Sequence, residues 1–193
     1  MEADFAVELG ADDDTLQFPW AAEESGLRYY DLKRQPGLLP EIQEAREVQE
    51  LAEFLAVVNS PASIVESAKC DVWASDEINP EEEIFGAACK FGSYVDLLFS
   101  QKESRFSFLL QEQLAGRVTK LLKKAPDIPA AMELIIRRCF YGVAEGAGDG
   151  FYITFYLFGY GADQAQARQR WGIALKLVEN AFRQVSAGMN QNP

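Results

Sequence analysis

The stretch from Gly150 to Gly161, GFYITFYLFGYG, alternates between two kinds of side chain. Odd positions carry Phe151, Ile153, Phe155 and Leu157. Even positions carry Tyr152, Thr154, Tyr156, Phe158 and Tyr160. A period of two marks a β-strand whose faces meet different surroundings. The hydrocarbon side is expected to meet helices, and the hydroxyl-tipped side to form the second face of a sheet.

Three more strands follow from the same pattern. Residues 63–78 place Ile64, Ala68, Cys70, Val72 and Ala74 on one face, with Val65, Lys69, Asp71 and Trp73 on the other. Residues 79–83, NPEEE, read as one helical turn inside the connection, with Asn79 as cap and acids in the opening turn. Residues 85–100 form the return strand, with Cys89, Phe91, Val95, Leu97 and Phe99 on one side and Lys90, Tyr94 and Asp96 on the other. Gly86 and Gly92 mark bends or bulges. Residues 132–143 are rich in β-branched and aromatic side chains and read as a strand.

Helices come from the 3.6-residue period. Pro40 suits the opening position of the first, whose stripe is Ile42, Ala45, Val48, Leu51, Leu55 and Val58. The second covers 104–123 with Phe106, Leu110, Leu114, Val118 and Leu121. The last begins near Asp163 and buries Trp171, Leu175, Val178, Phe182 and Val185. Residues 1–26 are broken by Gly10, Pro19 and Gly26. They read as an acidic arm whose Phe18 and Trp20 can dock on the body. Residues 27–33 read as a short strand, 27–187 as a single α+β domain, and 188–193 as a frayed tail.

Two ββα units therefore follow the first helix, and SYVDLLFS at 93–100 lines up weakly with FYITFYLF at 151–158. The expected fold is α+β: an antiparallel sheet of four or five strands with helices packed on one face. The element order over residues 40–187 resembles the secretion-chaperone type of fold. That resemblance implies a homodimer that binds protein segments.

Charge narrows the partners. Thirty acids stand against 18 bases, a net charge of −12. Phosphate backbones and anionic lipid need clustered Lys and Arg, so neither nucleic acid nor a membrane is an expected partner. The N-terminus has no apolar signal core, no apolar run is long enough to span a bilayer, and the chain reads as cytoplasmic with reduced thiols. Histidine is absent. That removes the commonest general base and the Ser-His and Cys-His relays. No catalytic residue, metal ligand set or cofactor is assigned. The run Glu41, Glu44, Glu47, Glu50, Glu53 reads as a solvated helix surface, and GAGDG at 146–150 as a hairpin loop.

Three cysteines, Cys70, Cys89 and Cys139, are widely spaced. A hairpin folded about Asn79–Pro80 would set Cys70 opposite Cys89, as small buried side chains or as a redox pair. In RRC, Arg137 and Cys139 share one face and Arg138 takes the other. Either arginine can pair with the surplus acids or hold an anion.

The candidate binding residues are Trp73, Tyr94, Arg137, Arg138, Tyr152 and Tyr156. Aromatics with polar tips suit a surface that is dry when occupied and wet when empty. Three covers fit it: the N-terminal arm, a second copy of the chain, or an external ligand. The expected function is a non-enzymatic module that binds protein or peptide, or itself, through this face. The alternative is a small anionic ligand-binding protein or enzyme with a pocket between sheet and arm. Thiol-based redox sensing at Cys139 is a third.

Overall fold

The structure, a computed structural model, describes residues 1–22, 26–79, 82 and 85–190. The strands, in chain order, are β1 (Glu2–Glu8), β2 (Thr15–Phe18), β3 (Ala21–Ala22), β4 (Leu27–Arg28), β5 (Val65–Ser75), β6 (Cys89–Phe99), β7 (Ala130–Tyr141) and β8 (Gly148–Gly161). The helices are α1 (Gln43–Glu47), α2 (Gln49–Val58), α3 (Phe108–Leu122) and α4 (Gln164–Asn190). The main sheet runs β1-β7-β8-β6-β5, and β2 also pairs with β7. Residues 132–143 are thus mainly strand, and both ββα units form.

The sheet has six strands rather than four or five, and is mixed rather than wholly antiparallel, because the segment read as an arm supplies an edge. β1 lies parallel to β7, Glu2 opposite Ala131 through Glu8 opposite Arg137. β2 continues the same edge, Thr15 opposite Arg138 through Phe18 opposite Tyr141. Gly10 and the acids after it interrupt this edge, which is why the sequence shows no long strand there. A parallel partner far along the chain leaves no local turn signal.

The helices cover the hydrocarbon side of β8, as its alternation requires. Phe155 packs on Phe54 of α2 and Phe182 of α4, and Phe151 on Phe108 of α3. Trp171 is fully buried; its indole donates to Ser93 Oγ at 2.9 Å. α4 comes close to β8: a Cβ on Gly159 would run into the backbone at Ala167 and Trp171. Asp163 caps this helix, accepting from Gln166 N–H at 2.8 Å. α4 continues to Asn190, past the expected fraying point, and 191–193 lie outside the described residues.

The first helix is broken into three pieces. Pro36–Glu41 is a 3-10 segment with Pro40 inside it, and Ile42 and Val48 are extended before α1 and α2. Both breaks carry β-branched residues, which lose less in extended backbone than in helix. Phe106 ends the 3-10 segment Lys102–Phe106 and lies against Tyr141 instead of joining the α3 stripe. Leu114, Ala115, Val118 and Leu122 form that stripe. The expected strand at 27–33 shrinks to β4.

A bulge corrects the facing of β5. The β6 register shifts between Ser67 and Lys69, so Ala68 is the extra residue. Val65 consequently faces the helices, while Ala68 joins the cluster on the second face. Beyond the bulge the expected parity holds, with Cys70 and Val72 toward the helices and Trp73 on the second face. The thiols are not opposed: Cys70 faces Val95, and Cys89 faces Gly161. In the connection Glu82 Oε2 accepts from Asn79 N–H at 2.8 Å. Pro80, Glu81 and Glu83 of the expected helical turn lie outside the described residues. Among the described residues, no helix is long and apolar enough to cross a membrane.

Candidate functional site on the second face of the sheet

The side of β8 turned away from the helices divides into two halves. The half toward the β7–β8 hairpin is a second core. Phe18, Ala68, Leu98, Cys139, Tyr141 and Tyr152 cluster there, with Leu16 and Tyr29 against them. The arm supplies Leu16 and Phe18. Its Trp20 indole donates to Ala68 O at 2.7 Å on the sheet edge.

Arg105 locks this half. It is 2% exposed and donates to Glu66 at 2.9 Å, Glu145 at 2.6 Å and the Phe99 carbonyl at 2.8 Å. Its guanidinium lies 5.3 Å from the Phe18 ring and 5.4 Å from the Tyr141 ring. Tyr29 O–H reaches the same Glu66 carboxylate at 3.3 Å. Burial pushes Glu66 above the usual carboxylate range, opposed by Arg105.

The other half carries rings that reach solvent. Trp73, Tyr94, Tyr156 and Phe158 are each half-buried. Their ring centres are 6.4 Å apart for Trp73–Tyr94, 6.0 Å for Tyr94–Tyr156, 6.4 Å for Tyr156–Phe158 and 5.9 Å for Phe158–Trp73. The four form a closed patch across β5, β6 and β8. Gly92 lies beneath it, opposite both Trp73 and Phe158. A Cβ there would come within 2.9 Å of both rings. The patch therefore needs glycine on β6 for its rings to meet over the strand.

Between the halves runs a polar row. Thr154 Oγ1 donates to Asp96 Oδ1 at 2.8 Å. Arg137 Nη1 stands 3.4 Å from Thr154 Oγ1 and 3.5 Å from the Tyr156 hydroxyl. Its Nε and Nη2 hold Glu8 Oε2 at 2.9 and 2.8 Å. Lys69, opposite Asp96, lies 5.9 Å from the Tyr94 ring and 5.7 Å from that of Trp20. Burial pushes Asp96 up to about 6, against the pull of Thr154, Lys69 and Arg137. Burial also raises Tyr94, with Asp96 and Asp71 adding to the effect, so its hydroxyl keeps its proton.

Of the residues singled out by sequence, Trp73, Tyr94, Tyr156 and Arg137 come together. Tyr152 shares their side but is 4% exposed beneath the arm. Arg138 is exposed on the opposite side of β7. Sequence reasoning gave no role to Glu8, whose pairing with Arg137 requires the parallel β1 edge. Glu133 was missed as well, though its parity with Arg137 on one strand was a usable signal.

The thiols are poorly disposed to react. Burial pushes Cys139 up to about 12 and raises Cys70 too. Among the described residues, no group of three or more Cys, Asp or Glu is placed to hold a metal ion.

Comparison with protein-family models, with curated proteins and with solved structures finds no match.

Proposed function

We propose that this chain is a non-enzymatic module that binds an extended protein segment through the aromatic half of its second sheet face. One observation carries the reading: the Trp73, Tyr94, Tyr156 and Phe158 patch lies outside both cores with its rings half-buried. Tyr and Trp combine large contact area with a polar handle, the combination enriched at interface hot spots. The arm covers the neighbouring half, so the patch is the part of the face left for a partner.

Peptide display selection against the folded protein tests this. Selected binders should lose about tenfold or more in affinity to Trp73→Ala and to Tyr156→Ala, as hot-spot residues do. Binders indifferent to both changes would remove the reading. Light scattering tests self-association: a dimer that Trp73→Ala dissociates would make a second copy the partner.

A cavity of about 480 Å³ between the β5 edge and the arm favours a second reading, a small anionic ligand. Arg28, Arg46 and Lys69 line it, beside Trp20 and Tyr94, but so do Glu41, Glu44 and Asp71. Neither Arg137 nor Arg138 is among its lining residues. A thermal-shift screen with anionic metabolites should then show gains that Arg46→Ala abolishes.

A further inference from the structure

We infer that the segment taken by the aromatic patch is basic, an inference that rests on the peptide-binding reading above. The cross-strand register sets Asp71 opposite Tyr94, Tyr94 opposite Tyr156, Tyr156 opposite Glu133, and Glu133 opposite Asp4. Two tyrosine rings are thus bracketed by carboxylates at both ends of one row. Neighbouring strands stand about 4.8 Å apart, so a partner lying on the rings reaches both ends of the row.

The chain's own cations show what these rings accept. Arg137 lies 5.8 Å from the Tyr156 ring, Lys69 5.9 Å from Tyr94 and Lys90 5.7 Å from Phe158. Arg137 is also ion-paired with Glu8, and Lys90 with Glu82. A cation beside a ring and a carboxylate is therefore a repeated local arrangement on this face. With those pairs made, Asp71 and Glu133 have no ion-pair partner among the described residues, and Asp4 is met only by the exposed Lys123 at 3.7 Å.

Asp4 and Glu133 are like charges in register on the parallel strands β1 and β7, and the exposed Lys123 beside Asp4 offsets them only in part. Burial raises the Glu133 carboxyl, and Glu8 and Asp4 raise it further, against the pull of Arg137. At longer range, the net charge of −12 attracts a basic partner and repels a second copy. Local carboxylates and global charge thus have the same sign, and a Lys- or Arg-bearing segment complements both.

The test uses three labelled dodecapeptides in which valine alternates with lysine, serine or glutamate, titrated by fluorescence anisotropy against the full chain. The lysine peptide should bind about fivefold or more tighter than the serine peptide, the size expected for one cation–ring contact plus one ion pair. Glu133→Gln should erase most of that advantage. Glu112→Gln, which removes the same charge from the exposed side of α3, should leave it intact. Equal loss in both variants would mean unspecific attraction and would overturn the inference. So would serine or glutamate peptides binding as tightly as lysine. If Trp73→Ala abolished that binding, the peptide-binding reading would survive without the basic partner. No binding by any peptide, or binding indifferent to Trp73→Ala, would remove both.

Discussion

Asp96 and Thr154 are cross-strand partners on β6 and β8, joined by a 2.8 Å hydrogen bond that Thr154 donates. Laying 93–100 over 151–158 sets Asp96 on Thr154. The weak sequence match thus sets each on the residue it pairs with across β6 and β8. Two hairpins joined through their second strands bring the most strongly alternating segments to the centre of the sheet. The polar pair at that centre separates the arm-covered core from the open rings.

Burial of Asp96 gives stability a pH signature. Its carboxyl titrates near pH 6 in the fold and near 3.9 in the unfolded chain. Between those values the folded chain holds a proton that the unfolded chain has released. The contribution is complete below about pH 4 and is lost as pH rises through about 6, a change of up to about 3 kcal/mol. Urea unfolding from pH 4 to 7 should show the native chain losing stability relative to Asp96→Asn. Parallel pH curves for the two would contradict this.

Two glycines should respond differently to alanine. At Gly159 the new methyl meets the backbone of α4, which cannot turn aside. At Gly92 it meets the Trp73 and Phe158 rings at 2.9 Å, which can rotate at a cost. Gly92→Ala should remain folded, lose about 1–3 kcal/mol and change the tryptophan fluorescence, as overpacking with ring displacement does. Gly159→Ala should lose more, read as the difference between their denaturation midpoints.

Arg105 should couple the arm to the body. Arg105→Met leaves the buried Glu66 carboxylate unpaired, a loss of about 3–5 kcal/mol. Adding Glu66→Gln should recover about 1–2 kcal/mol, because the two share one network. The single variant should also expose Trp20, read as increased quenching by acrylamide.

The thiols should be slow. With the thiol of Cys139 pushed up to about 12 and that of Cys70 raised, little thiolate exists at pH 8. Cys89 is raised as well, first by its hydrogen bond to Asp76. Labelling by a disulfide reagent should be slow in the native chain and fast in denaturant. Rapid native labelling of Cys139 would revive redox sensing.

Much of the site was legible because side-chain alternation is local. The alternation in 150–161 is enough to send Phe155 toward the helices and Tyr156 away. The same reasoning gave Tyr94 and Trp73 their common side, and RRC its division between faces. It failed for Val65 and Ala68, because one inserted residue reverses parity and a bulge leaves no mark in hydrophobicity.

By itself, the sequence determined the two ββα units, the hydroxyl-tipped face and the acidic charge, since each depends on residue type and short-range period. Only the tertiary structure decided that the arm forms a parallel edge, that Glu8 already holds Arg137, and that Tyr152 is covered while Tyr156 is open. These depend on contacts between residues more than a hundred positions apart. Such contacts are set by how the whole core packs, which no local pattern records.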